Sequence, residues 1–104
     1  MSGKLIPLKI ESDLMYRRYL SQVGKLNFIS ANLPEDRDYL VSKICLTFVV
    51  TRTSVIRELN TFINGGILKY DKKNKTVHST PLLKEYVSQL EQNMKDYEPT
   101  LYRY

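Results

Sequence analysis

The sequence predicts a mainly α-helical domain with one small β-hairpin and a long C-terminal helix. Apolar residues recur at steps of three and four through most of the chain, which is the helical period. The exception lies between Gly65-Gly66 and Pro81, where two short β-prone runs flank a polar turn. At 104 residues, the chain has the length of one such domain.

The first predicted elements are an extended arm and a long helix. Residues 1–11 predict the arm because Pro7 excludes a helix interior. Ser12 is a good N-cap for the helix that follows, which extends to residue 31. Gly24 lies within it and weakens a helix by about 1 kcal/mol relative to Ala, which favours a break into two pieces there. The apolar positions of this helix are Leu14, Met15, Tyr19, Leu20, Val23, Leu26 and Ile29.

The loop 32–36 leads into a second helix. Glu35 and Asp36 are expected in its first turn, because the helix dipole favours acids there. Its apolar residues include Tyr39, Leu40, Ile44 and Phe48. Val49-Val50 predicts the turn to the next helix, since a β-branched pair disfavours simple continuation.

Residues 51–64, TRTSVIRELNTFIN, predict a capped amphipathic helix. Thr51 is the N-cap, and Gly65-Gly66 is expected to supply a left-handed C-cap and a tight exit. One apolar stripe contains Val55, Leu59, Phe62 and Ile63, with Ile56 on its border. Beside this stripe lies a basic, amide-rich face made of Arg52, Thr53, Arg57, Asn60 and Asn64.

The next segment predicts a β-hairpin with a basic tip. Residues 67–70 and 76–79 have strand-like composition, and the turn 71–75 between them is polar. Lysines occupy positions 69, 72, 73 and 75.

In this order, TRTSVIRELNTFINGGILKYDKKNKTVHS resembles the recognition helix and wing of winged helix-turn-helix DNA-binding proteins. The likeness covers residues 38–80 and is strongest to small archaeal, plasmid-borne and viral members and to the PadR and MarR types. It implies a winged helix-turn-helix domain over residues 12–80. A recognition helix, 52–64, would enter the major groove, and a basic wing, 69–79, would lie on the backbone or minor groove. The implied DNA contacts are Arg52, Thr53, Ile56, Arg57, Asn60, Lys69, Lys72, Lys73 and Lys75.

The chemistry of these side chains suits that interpretation. Arg52 and Arg57 can hold a guanine edge bidentately or bind a phosphate, and Asn60 can pair with adenine. Thr53 can bind a phosphate or touch a thymine methyl group. The wing lysines suit the sugar-phosphate backbone better than base edges. An alternative interpretation makes each arginine a surface ion pair, Arg57 with Glu58 or Asp71, and makes the lysine-rich tip an ordinary solvated turn.

The last predicted helix begins at Pro81, a residue favoured at the first helical position. A narrow seam spaced at steps of four, three, four and three contains Leu83, Val87, Leu90, Met94 and Tyr97. Residues 81–104 are therefore expected to form a dimerisation helix and tail. The helix should also pack on the first helix of its own or the partner chain, with Leu20 and Leu26 as the expected contacts. The dimer would hold two recognition helices about 34 Å apart. The alternative is a monomer whose last helix folds back on its own domain.

Charge favours an anionic partner. The net charge is +5, and residues 81–104 carry three bases and four acids, so residues 1–80 hold +6. This asymmetry is typical of a polyanion-binding domain with a separate association element. A solvated lysine-rich surface is the alternative.

Composition argues against other functions. One His, one Cys and the lack of a glycine-rich phosphate loop predict no enzyme, no cofactor and no metal site. Cys45 is expected to be a small core residue, and a single cysteine excludes an intramolecular disulfide. No apolar run approaches the ~20 residues of a membrane span, and the N-terminus lacks the apolar core of a signal peptide. A cytoplasmic, nucleoid-associated protein is therefore expected.

These observations predict a sequence-specific, dimeric DNA-binding protein that acts as a transcriptional regulator. Its expected partners are double-stranded DNA and a second copy of the chain, and a second protein or further dimers along the DNA are additional candidates. A plasmid or chromosome partition protein that spreads along DNA, or an architectural protein, shares the same chemistry. A winged-helix module that binds proteins and not DNA is the alternative from another class, although it predicts an uncharged or acidic recognition helix.

Overall fold

The computed structural model describes residues 7–97. Within this range the chain forms four α-helices and a small three-stranded antiparallel sheet. The prediction of a mainly α fold with a small β element is therefore confirmed. The elements are α1 (Asp13–Ala31), β1 (Glu35–Asp36), α2 (Arg37–Phe48), α3 (Arg52–Asn64), β2 (Leu68–Asp71), β3 (Thr76–Ser79) and α4 (Pro81–Lys95).

The first helix, α1, is continuous across Gly24, so the expected break does not occur. Ser12 caps it as predicted, its hydroxyl accepting a hydrogen bond from the N–H of Met15 at 3.2 Å. Packing of the C-terminal half outweighs the propensity cost of the glycine, because Leu26 and Ile29 are buried there. Of the other predicted apolar positions, Tyr19 and Val23 also pack against the core.

The N-terminal half of α1 leaves two predicted apolar positions in solvent. Leu14 is 59% exposed and Leu20 is 52% exposed. The reason is that α4 packs on a different side of α1, where Gln22 bonds Tyr86. Within one chain, Leu20 is therefore not buried against α4, whereas Leu26 lies in the core.

Strand β1 corrects the prediction of a two-stranded hairpin. Glu35 and Asp36, expected in the first helical turn, pair antiparallel with β3, Glu35 opposite Val77 and Asp36 opposite Thr76. The sheet order is β1-β3-β2. Acidic residues are depleted in strands, so tertiary pairing and not propensity decides this strand. Asp36 still serves the helix start, since its carboxylate accepts from the N–H of Tyr39 at 3.0 Å.

Helices α2 and α3 are joined by the turn 49–51. α2 ends at Phe48, and Val49 adopts the left-handed conformation, with φ 53° and ψ 55°. The predicted turn at Val49-Val50 is confirmed, and Val50 packs against the core. Thr51 caps α3 as predicted, its hydroxyl accepting from the N–H of Ser54 at 3.2 Å. The two helix axes differ in direction by 118°.

The hairpin, residues 68–79, consists of β2 and β3. The two strands are paired antiparallel, from Leu68 opposite Ser79 to Asp71 opposite Thr76. Its strands begin and end within one residue of the predicted bounds. The left-handed glycine at the exit of α3 is Gly66, with φ 84°, while Gly65 is the right-handed C-cap. Lys75 closes the hairpin turn with φ 55°.

The last helix, α4, packs on α1 of the same chain. Leu83 and Leu90 of the predicted seam are buried in the core, and Val87 packs against it. Tyr97, just beyond α4, places its ring 5.9 Å from that of Tyr16 and bonds Asp13 through its hydroxyl. The seam thus has an intramolecular partner, and its role between two copies stays a prediction.

The predicted N-terminal arm is described only from residue 7. In that part, Ile10 is buried, and the N–H of Leu8 donates to the hydroxyl of Tyr19 at 2.8 Å. The arm therefore packs on its own domain there. The earlier arm residues and the predicted aromatic tail, 98–104, lie outside the described residues.

Candidate nucleic-acid interface

The exposed face of α3 carries the residues predicted to contact DNA. Val55, Leu59 and Phe62 are buried on the opposite side of the helix. The helical period therefore turns the polar residues outward, and all five residues of the predicted polar face are exposed, namely Arg52, Thr53, Arg57, Asn60 and Asn64. Ile56 lies on the border, half-buried and packed against the core, as its position predicted.

Both acids that the sequence offers as ion-pair partners for Arg57 are engaged elsewhere. The carboxylate of Glu58 pairs with the Lys25 ammonium at 3.3 Å, on the side of α3 that faces α1. The carboxylate of Asp71 accepts hydrogen bonds within the hairpin turn. Within residues 7–97, Arg57 forms no salt bridge. Its guanidinium is exposed and available to a ligand.

Arg52 has a different environment. Its Nη1 donates to the hydroxyl of Ser42 at 3.0 Å, and its Nη2 lies 3.9 Å from the carboxylate of Asp38. Asp38 is also 4.0 Å from the guanidinium of Arg37. Exposed pairs of this kind contribute less than about 1 kcal/mol to stability. Their effect is to direct Arg52 towards α2.

The four hairpin lysines are all exposed, namely Lys69, Lys72, Lys73 and Lys75. The backbone of the turn that carries three of them is ordered by Asp71, which accepts from the N–H groups of Lys73 at 3.0 Å and Asn74 at 3.3 Å. The side chain of Asn74 donates to the same carboxylate at 2.7 Å. These bonds, led by that from the Asn74 side chain, hold the pKa of Asp71 below its ordinary value. The turn is fixed while the ammonium groups face solvent.

The start of α2 connects the hairpin to α3, and sequence reasoning missed it. The N–H of Arg37 donates to the carbonyl oxygen of Lys75 at 2.9 Å, and the Arg37 guanidinium lies 5.8 Å from the centre of the Tyr70 ring. Through Asp38, the same segment approaches Arg52. A basic residue in the first turn of a helix is disfavoured by the dipole, and this is the one signal that Arg37 offers in the sequence.

The combined surface is positively charged. We define the basic surface as the exposed face of α3, the start of α2 and the hairpin turn. Its cationic side chains are Arg37, Arg52, Arg57, Lys69, Lys72, Lys73 and Lys75. Asp38 and Asp71 face the arginines and the turn backbone respectively, and Asp36 caps α2 at the edge of this surface. Such a surface attracts polyanions over distances near the Debye length, about 8–10 Å.

Other chemistry has little support in the part of the chain that the structure describes. No group of three or more His, Cys, Asp and Glu residues is placed to hold a metal ion there. His78 lies opposite Lys69, and its Nε2 is 2.8 Å from the Thr76 hydroxyl. Cys45 is half-buried and packs against the core. No single helix in this range is long and apolar enough to span a membrane, and α2 and α3 meet that test only jointly, across their bend.

Among known proteins, no family model, no curated protein and no solved structure matches the chain.

Proposed function

We propose that the protein is a winged helix-turn-helix protein that binds double-stranded DNA sequence-specifically and regulates transcription. The observation that carries the proposal is the basic surface: an acid-free helix face lies beside a lysine-rich hairpin, and the start of α2 joins the two. Nucleic acid offers a phosphate array that matches such an arrangement of cations.

The relation of α2 to α3 supports the helix-turn-helix assignment. Helix-turn-helix motifs join two helices at about 90–120° through a turn of three or four residues. Here three residues separate the helices, and their axes differ by 118°. In this proposal α3 is the recognition helix. Its diameter with side chains, about 10–12 Å, fits a major groove about 12 Å wide.

The hairpin is the wing in this proposal. Lysine ammonium groups bind phosphates as point charges and carry little information about base identity. The hairpin therefore supplies affinity and orientation, while α3 supplies sequence preference. Regulation of transcription follows if a preferred site overlaps a promoter.

A fluorescence anisotropy titration of genomic DNA fragments at several salt concentrations tests the proposal. We expect one or a few fragments to bind more tightly than the rest. Log affinity should fall linearly with log salt, by about 0.9 for each phosphate neutralised. Arg57→Ala should weaken binding to the preferred fragment by roughly 1–3 kcal/mol. Lys84→Ala, on the exposed side of α4, is the control and should bind like wild type.

A second candidate, a protein-interaction module, is favoured by an apolar region at the end of α2. Leu46 is 83% exposed and Val49 is 89% exposed, on either side of the half-buried Phe48. Exposed apolar groups that lie together are typical of protein contacts. If all DNA fragments bound with the same weak affinity, and if that affinity did not change with salt concentration, the titration would favour this candidate.

A further inference from the structure

The two arginines at the exposed side of α3 differ in their surroundings. We infer that Arg57 reads a guanine, that Arg52 only positions α3, and that the preferred duplex holds this guanine between A·T pairs. The inference rests on the proposed DNA-binding function and names the class of DNA that this surface prefers.

Arg52 is committed to α2. Its guanidinium bonds Ser42 at 3.0 Å and lies 3.9 Å from Asp38, ten or more residues back along the chain. Insertion into a groove would break both interactions and leave Asp38 facing the DNA. A guanidinium has five N–H donors, so Arg52 can keep these partners and still donate to a nearby phosphate. It thereby holds α3 against α2 and acts alike on every DNA sequence.

The guanidinium of Arg57 has no ion-pair partner within residues 7–97, and Arg57 lies in the middle of the exposed face of α3. It lies opposite the buried residues Val55, Leu59 and Phe62. Its neighbour Thr61 donates its hydroxyl to the Arg57 carbonyl at 3.1 Å, so Thr61 is already occupied. A free guanidinium at the centre of a groove-facing helix matches the O6 and N7 acceptors of guanine bidentately.

The residues on either side of Arg57 suit A·T pairs. Asn60, one turn towards the C-terminus, can hold the N6 and N7 edge of adenine. Thr53, one turn towards the N-terminus, and Ile56 beside it offer methyl groups to the C5-methyl of thymine. Glu58, the one acid of α3, is turned away and paired with Lys25, so no carboxylate on this face can accept from the amino group of cytosine.

The length of this face sets the size of the core site. Thr53 and Asn60 are seven residues apart, which is about 10 Å along a helix at 1.5 Å per residue. Base pairs are stacked about 3.4 Å apart, so the face covers about three of them. The core is therefore a guanine with an A·T pair on each side.

Selection of duplexes from a random library, followed by anisotropy with modified bases, tests the inference. Selected duplexes should share the A·T-flanked guanine. Replacing that guanine with 7-deazaguanine, which lacks the N7 acceptor, should weaken wild-type binding about tenfold. The same replacement should have no further effect on Arg57→Ala, which itself should bind about 5- to 150-fold more weakly than wild type. Replacing the flanking thymines with deoxyuridine removes their methyl groups. This replacement should lower the affinity of the wild-type protein by a larger factor than it lowers the affinity of the Ile56→Ala variant.

Arg52→Ala is the matched variant. It should lower affinity for all duplexes by the same factor and leave the base preference unchanged. Selection of G·C-rich duplexes, a 7-deazaguanine effect that persists in Arg57→Ala, or a changed preference in Arg52→Ala would each overturn the inference while leaving DNA binding intact. Lack of any sequence preference in the wild-type selection would instead overturn the proposed function, and the inference with it.

Discussion

The hydroxyl of Tyr86 donates a hydrogen bond to the side-chain oxygen of Gln22 at 2.9 Å, and so ties α4 to α1 of the same chain. Desolvation by burial, the largest cause, raises the pKa of Tyr86 to about 12 from 10.0. The folded state therefore keeps this proton at pH values where the unfolded state has lost it. We expect the free energy of unfolding to be unaffected by this group below pH 10 and to fall as the pH rises towards 12.

Urea unfolding of wild type and Tyr86→Phe from about pH 7 to about pH 11.5 checks this expectation. At about pH 7, Tyr86→Phe should lower the free energy of unfolding by about 1 kcal/mol, because the hydrogen bond to Gln22 is removed. As the pH rises above 10, the free energy of unfolding of Tyr86→Phe should fall less steeply than that of wild type, since phenylalanine does not ionise. Parallel pH profiles for the two proteins would contradict the assignment.

Leu90→Asp probes the packing of α4. The sequence alone predicts that this variant separates a dimer and leaves the rest of the domain folded. Leu90 is 0% exposed within one chain, so an unpaired carboxylate there should destabilise the fold by roughly 3 kcal/mol or more. Circular dichroism and urea unfolding measure this effect. A folded Leu90→Asp variant of near wild-type stability would show that α4 does not pack as described.

The homodimer itself is tested by light scattering of the wild type. The chain has a mass of 12.2 kDa, and we expect twice that value at micromolar concentration. Val87 and Met94 are the half-buried seam residues of α4 that remain partly accessible. Met94→Glu should then reduce the mass to that of one chain while keeping the helical signal. A wild-type mass of one chain would contradict the dimer prediction.

Gly24→Ala should stabilise the protein. Helix propensity favours alanine by about 1 kcal/mol, and the nearest atom to an added Cβ is in the Phe48 ring at 4.0 Å, an ordinary contact distance. Gly66→Ala is the matched control. It should destabilise the protein, because Gly66 has φ 84°. Thermal unfolding compares the two variants, and a lower melting temperature for Gly24→Ala would contradict the packing seen around α1.

Val49→Gly should also stabilise the protein, by roughly 0.5–1 kcal/mol. A β-branched residue in the left-handed region costs about 1–2 kcal/mol, and part of the gain is offset by the greater freedom of glycine in the unfolded chain. Val49 is 89% exposed, so the substitution removes little apolar burial. Val50→Gly, whose side chain packs against the core, should instead destabilise. Urea unfolding distinguishes the two substitutions, and reduced stability of Val49→Gly would mean that its side chain contributes more than its exposure indicates.

The hairpin lysines should act through charge. Replacing Lys72, Lys73 and Lys75 with alanine should weaken binding to all DNA fragments alike. It should also reduce the slope of log affinity against log salt by about 0.9 for each phosphate that the variant no longer neutralises. Anisotropy at several salt concentrations measures the slope, with the double variant Lys84→Ala and Lys95→Ala on α4 as control. An unchanged slope in the triple variant would place the hairpin away from the DNA.

Local signals predicted α3 and the hairpin well. Thr51 is a cap residue, the apolar stripe has a clear period, and two glycines follow, so helix 52–64 is where the sequence placed it. The hairpin has β-prone runs on each side of a polar turn, and its strands differ from prediction by one residue at most. These elements carry their structural information in neighbouring residues.

Elements decided by distant contacts were not predictable. Glu35 and Asp36 form a strand only because β3 lies beside them. Tyr86 falls between the seam positions in the sequence, yet it is buried through its bond to Gln22, 64 residues away. The different surroundings of Arg52 and Arg57 likewise depend on α2, α1 and the hairpin turn. The sequence alone therefore assigned both arginines the same role in DNA contact.

The pairing of β1 with β3, and the bond from Arg37 to Lys75, fasten the hairpin to the start of α2. Ordering a free residue costs about 1–2 kcal/mol of conformational entropy, so a loose hairpin would lose much of its binding energy when it was immobilised. In this protein the hairpin is already ordered in the folded chain, so binding does not have to order it. A ligand that spans α3 and the hairpin therefore meets a preorganised surface. Its binding should resemble rigid docking, with a heat-capacity change set by the buried contact area alone and with no contribution from coupled folding.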